Sequence, residues 1–323
     1  MFRKHLIRLL ISTIIIIALN IPGSVFSQNV NNDLDYYTRL NEKEKRLEEY
    51  KDSREALVLK LEQLNLINAS RKKFKATPLE LDILASRVAN KMSREAAENN
   101  FTGHWNLSGE KPYHRYAFAG GYDHVSENAY AEWSSKSFEN NAATIAAMMK
   151  SGHESFMAER APRDGHKKTV IKKEHNYVGI GFHLEGKQFR YYEEYLDRYF
   201  EFENINTEIN KGEKTTINLK TDGSKFLYFM IVYYEDFPKK MKPSEITSKG
   251  SYADYTNKQY LTITSWDLAK FRNGLNYQIP LTLSKTGLYY IHIYIDDMEI
   301  IRPGTLNTNG KTPYSGIVIS VTD

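Results

Sequence analysis

The 323-residue chain has no cysteine. That excludes disulfides, thiolate metal sites and a cysteine-borne acyl anchor, so any domain of the chain must be held by an apolar core. A nucleophilic thiol is excluded with them. The serines that come into question (Ser108, Ser126, Ser151 and Ser155) lack the glycine frame of a nucleophile elbow. Ser151 and His153 stand two apart on a helix and point in different directions. A His-Glu-x-x-His metal motif is also missing, because His153-Glu154 is followed by Met157 where the second His would fall. Excess charge is scarce too. The formal net charge of +4 includes Arg3, Lys4 and Arg8, and without them it is 4 − 3 = +1, which lends no support to nucleic-acid binding.

Apolar runs are short. Leu9 to Leu19 follows the basic start, falls below the ~20 residues of a spanning helix, and is broken by Ile21-Pro22-Gly23. Val25-Phe26-Ser27 then suits a cleavage site before Gln28. This pattern predicts a signal peptide over 1–27, a secreted or periplasmic protein, and no transmembrane segment after cleavage. Residues 28–55 read as a polar and charged helical linker. Its sparse apolar positions, among them Tyr37, Leu40, Leu47 and Tyr50, suit a solvated helix leaning on a domain by one stripe.

Beyond the linker, two compositions follow each other. Residues 56–201 mix strong helices with short strands. Residues 202–323 alternate or run apolar in strand-length pieces: Thr215–Lys220, Phe226–Tyr234, Tyr260–Thr264, Tyr277–Leu283, Leu288–Ile295 and Gly316–Val321. Turn chemistry at Asn206-Thr207, Asp222-Gly223 and Asn309-Gly310 separates them. The fold class is α+β, a helix-and-sheet domain followed by an antiparallel β-sandwich. The second domain is rich in aromatic residues, about half of which are expected to fill its core, while exposed ones would suit a polymer or protein surface.

Four blocks in the first domain carry a resemblance. Leu64-Asn65 or Ile67-Asn68, with Arg71, Pro78-Leu79 and Leu81 to Ala85, reads as two helices joined at Thr77-Pro78. His104 follows in Thr102-Gly103-His104. Ser126-Glu127-Asn128 stands where a Gly-Glu-Asn motif would be. Gly165-His166 precedes Val178-Gly179-Ile180-Gly181 by twelve residues, and a hairpin turns at Glu185-Gly186. In order and spacing these blocks resemble the bacterial branch of the CAP superfamily (cysteine-rich secretory proteins, antigen 5 and pathogenesis-related proteins; the SCP domain), over roughly residues 56–200.

The resemblance implies an α-β-α sandwich with a cleft tetrad containing His104, Glu127 and His166. The fourth member is open between His153, which lines one face of the helix Asn141–Met157, and Glu154 on its flank. Such a set could bind Zn²⁺ or another divalent metal through His104, His166, Glu127 and His153. It could also perform acid–base or metal-assisted hydrolysis with His104, Glu127 and His166 as catalytic residues, or be a structural polar cluster. His114, His124, His175 and His183 read as loop or strand-surface residues, and His292 as part of an aromatic stripe. The leading expectation is a secreted protein whose cleft binds a divalent metal, lipid or other small ligand, with a β-domain for a cell surface or polymer. An extracellular hydrolase and an adhesin with a vestigial cleft are the alternatives.

Overall fold

The computed structural model describes residues 34–250, 252, 258–307 and 310–323. The expected signal peptide lies outside them, as do residues 28–33, Tyr255 and Asn309.

Residues 34–43 form helix α1. The chain does not continue as one helix: Leu47 is left-handed at φ 50°, and Ser53 then caps α2 (Arg54–Lys73) by accepting the Ala56 N–H at 3.1 Å. This segment packs on the first domain through buried polar groups. The Arg87 guanidinium donates to the Asn41 carbonyl (2.7 Å) and to the Glu44 and Arg46 carbonyls. Lys60, with no exposed side-chain surface, pairs with Asp52 at 2.7 Å.

Thr77-Pro78 does not start a helix. It leads into strand β1 (Glu80–Leu81), and α3 (Ile83–Glu98) begins only where Asp82 caps the Ala85 N–H at 2.6 Å. The Asn68 side chain takes both backbone groups of Leu79, at 2.7 and 2.9 Å, and holds it extended. After α4 (Pro112–Phe118) come β2 (His124–Trp133), α5 (Ala142–Ala158), α6 (Gly165–Ile171), β3 (Tyr177–Glu185) and β4 (Gln188–Asp197). The sheet order is β1-β3-β4-β2, so β2 is an edge, and only the β1–β3 pair is parallel.

Helices cover both faces of this sheet. On one, α3 lies against Gly179 and Gly181. A Cβ on either glycine would come within 2.3 Å of Ala85 or 2.2 Å of Ala89 backbone carbon, so their absent side chains let α3 approach. On the other face, Val178, Ile180, Tyr191 and Tyr195 pack with α2, α5 and α6, because successive strand residues point to opposite sides. This is an α-β-α sandwich.

The second domain contains β5 (Glu201–Glu203), β6 (Glu208–Asn210), β7 (Lys214–Lys220), β8 (Phe226–Glu235), α7 (Pro243–Ser248), β9 (Gln259–Thr264), α8 (Ser265–Leu268), β10 (Arg272–Asn273), β11 (Asn276–Thr282), β12 (Gly287–Asp296) and β13 (Ile317–Thr322). Two sheets, β10-β11-β7-β5 and β6-β13-β12-β8-β9, enclose one core that includes Ile217, Ile279, Met230, Ile291 and Ile319. The pairing is antiparallel except for β6 beside β13. Of the ten described tyrosines in this domain, seven are buried (Tyr228, Tyr233, Tyr234, Tyr277, Tyr289, Tyr290 and Tyr294), so its tyrosines are mainly core.

The domains share a contact that is itself core-like. Tyr113 stacks on Tyr290 at 4.1 Å, and both belong to a cluster with Leu84, Val88, Tyr233, Leu288 and Val318. Glu235 of β8 accepts from the Tyr113 hydroxyl and lies 3.0 Å from His114 Nε2. The Met241 N–H donates to the Leu107 carbonyl at 2.8 Å.

Candidate functional site

The cleft forms at the open β2 edge. Glu127 points from β2 to the α3 face, directly across from Glu194 of β4. His104, in the loop after α3, is set by Arg115 of α4, whose guanidinium donates to the His104 carbonyl at 2.6 Å. The same guanidinium binds Glu127 Oε2, while Glu127 Oε1 lies 2.7 Å from His104 Nδ1. Ser126 keeps ordinary extended backbone, so replacing the motif's Gly by Ser costs no strain. His166 arrives from the start of α6. Glu159 anchors it, with Oε2 accepting the His166 N–H (2.9 Å) and Oε1 meeting Nδ1 (2.5 Å). Asn128 adds a hydrogen bond from its amide to the His166 carbonyl at 3.1 Å. The two imidazole centroids are 6.5 Å apart.

Burial first, then the Arg115 charge, lowers the His104 pKa to about 4. The ring is therefore neutral at pH 7, with its proton on Nδ1 toward Glu127 and a lone pair on Nε2. Burial also raises the carboxyl of Glu194 well above its usual range, with the Glu127 charge adding to it. Arg115 opposes the same burial effect at Glu127. Glu127 receives His104 and Arg115 directly, whereas Glu194 has Arg115 only at 3.5 Å. The shared proton of this pair therefore rests on Glu194.

The structure brings His104, Glu127 and His166 together but leaves out both candidates for the fourth place. His153 is on the opposite face of the sheet, 1% exposed, with Nδ1 3.1 Å from Glu193 and Nε2 3.0 Å from Ser70 Oγ. Glu193 and Glu194 are neighbours on β4, and strand alternation sends them to opposite faces. Glu154 is exposed, 3.8 Å from Lys150. Among the described residues no group of three His, Asp or Glu could hold a metal ion. A four-ligand site is thus not assembled: both Glu127 oxygens are taken, and His153 is behind the sheet. The two imidazoles of His104 and His166 each have a carboxylate on Nδ1, an arrangement common around metal-ligating histidines.

Three of the four histidines expected at the surface are buried instead. His114, His124 and His175 are at most 3% exposed, and His124 and His175 both meet Asp197, at 3.2 and 2.5 Å. His292 is also buried, between Tyr233 and Tyr290. His183 is partly exposed on β3.

Arg115 stands where the resemblance to the CAP family expects an Arg, but sequence reasoning missed three other cleft residues. Glu159 had a signal in its seven-residue distance from His166. Glu194 needs the strand register. Tyr252, from the second domain, had no local signal at all. Its hydroxyl accepts the Glu127 N–H at 3.0 Å, and its ring lies 4.9 Å from His104.

No protein-family model matches the chain, and no curated protein matches it by sequence. Solved structures similar to it include an extracellular SCP-domain protein from Bacillus anthracis (18% identity, 43% of this chain and 40% of that one, TM-score 0.33). An outer surface protein from Borrelia burgdorferi (17%, 43% and 92%, 0.34) is similar over the same share. So is a cysteine-rich secretory protein from Staphylococcus aureus (16%, 43% and 38%, 0.29). The first and third are thus matched over less than half their length, and the likeness says nothing about activity. No helix among the described residues is long and apolar enough to cross a membrane. In the order of its four blocks and its α-β-α layering, the first domain resembles the SCP domain of the CAP superfamily.

Proposed function

We propose that the chain is a secreted CAP-type protein whose cleft holds a divalent cation between Nε2 of His104 and Nε2 of His166. The second domain would bring it to a surface or polymer. The carboxylate on each Nδ1 carries this reading: Glu127 and Glu159 fix both tautomers so that each ring offers a lone pair. Nitrogen donors of this type suit Zn²⁺ and its neighbours. Two protein ligands leave positions for water or a small ligand's own donor, so the bound ion would act as a handle for that ligand. Glu127 and Glu159 would orient the rings rather than ligate.

Zinc titration and elemental analysis of the mature protein test this, beside His104→Ala/His166→Ala. Stoichiometric zinc in the native protein and none in the double variant is the expected result. Zinc bound equally by both would sink the assignment. Zinc-dependent turnover of an ester or peptide, lost in the double variant, would replace binding by hydrolysis.

A further inference from the structure

Beside the imidazole cleft, the second domain builds a groove of about 510 Å³ lined by Lys239, Lys240, Met241, Glu245 and Lys249, with Trp105 from the first domain. Between Asp236 and Lys249 there are four lysines and two carboxylates. Asp236 pairs with Lys258 at 3.0 Å, and Glu245, which lines the groove, accepts the Lys242 backbone N–H at 2.7 Å. Lys239, Lys240 and Lys249 form no ion pair among the described residues, and the contact of Lys249 is with the Trp105 ring, 4.9 Å away. Three ammonium groups are thus gathered around the single carboxylate of Glu245, which leaves the local potential positive.

The backbone that carries them is docked firmly. A Cβ on Gly109 would sit 2.1 Å from the Lys239 carbonyl oxygen. Ile246 is fully buried in a cluster with Phe101, and the Thr102 N–H donates to Thr247 Oγ1 at 3.2 Å. The groove also adjoins the cleft. Trp105 follows His104 in the chain, and Tyr252 touches both rings, at 4.9 Å from His104 and 6.3 Å from Trp105.

We propose that this groove binds phosphate groups carried along a linear chain and leads that chain toward His104 and His166. Ammonium groups act as compact point charges suited to phosphate, whereas planar carboxylates are better matched by the forked guanidinium. Three separate lysines serve a repeating anion better than a single one. The groove needs no metal, so the proposal stands apart from the imidazole assignment.

The test is calorimetric titration of the full mature chain with linear polyphosphate in the presence of a chelator. Lys239→Gln/Lys240→Gln/Lys249→Gln should lose affinity roughly tenfold or more and show a shallower dependence on salt. Lys211→Gln/Lys220→Gln/Lys270→Gln, with the same change in charge elsewhere on the second domain, should bind like the native protein. So should His104→Ala/His166→Ala, which separates failure here from failure of the metal site. All six lysines are surface residues, and unchanged thermal melting would show that each variant folds. Equal losses in both lysine triples, or none in either, would overturn the proposal. Vesicles containing phosphatidylglycerol form a second arm: binding to vesicles but not to polyphosphate would also overturn it, by making a lipid headgroup the source of the phosphate.

Discussion

The central sheet carries two histidine–glutamate pairs of the same chemistry on its two faces, and they differ in what the second ring nitrogen does. In His153, Nδ1 meets Glu193 and Nε2 meets the Ser70 hydroxyl. Glu193 meanwhile takes the hydroxyls of Tyr191 and Tyr195 at 2.6 and 2.7 Å. Every polar valence there is satisfied inside the core, which makes the pair a structural clamp. His104 gives Nδ1 to Glu127, but its side chain keeps 13% exposure beside His166. A histidine and a carboxylate within reach of each other do not make a site. An imidazole with one nitrogen fixed and the other open to the cleft can.

The largest effect that would test this contrast is on the sealed side. Glu193→Ala should strip partners from His153, Tyr191 and Tyr195 at once and cost about 3–5 kcal/mol, measured by denaturant unfolding. A cost under about 1 kcal/mol would mean the clamp is not one. On the cleft side the expected signature is in pH. His104 has its pKa lowered to about 4, burial being the main cause, against about 6.5 when unfolded. As pH falls through that window the unfolded chain takes up the proton first, so native stability declines between about pH 6.5 and 4. His104→Gln should remove about 1–3 kcal/mol of this decline, read as a flatter melting-temperature profile; an unchanged profile would contradict the burial argument.

A smaller effect separates orientation from ligation. Glu159→Gln should weaken zinc binding roughly 10- to 100-fold, whereas Ser70→Ala, behind the sheet, should leave it unchanged. If both variants lowered affinity alike, the two faces would not be independent. The smallest change is expected at the domain contact, where Tyr252→Phe removes one hydrogen bond to the Glu127 N–H. Its cost should be about 0.5–1.5 kcal/mol, seen by thermal melting.

Much of the fold was legible because local chemistry decides it. The alternating runs from Thr215 to Val321 became strands within a residue or two of their expected ends. Gly179 and Gly181 fit a strand that another backbone approaches closely, and that backbone is α3. Helix α5 appeared where the apolar stripe placed it. Thr77-Pro78 misled, since proline's fixed φ suits an extended chain as well as a helix start, and the distant amide of Asn68 settled the choice. The histidines misled for a related reason. His114, His124 and His175 look like surface residues until Glu235 and Asp197, from strands distant in sequence, come within ion-pair distance of them in the interior.

The sequence by itself determined the strand and helix periods and the cysteine-free core, because these depend on composition and spacing along the chain, while His104, Glu127 and His166 were singled out by the resemblance to the SCP domain. The tertiary structure alone decided which face each side chain reaches and which carboxylate meets it. A one-residue step on β4 sends Glu193 into the clamp and Glu194 to the cleft. Only the docking of the second domain brings Tyr252 to Glu127. Facing depends on strand register, and partnership depends on groups 23 to 125 positions apart, so neither is written in any local pattern.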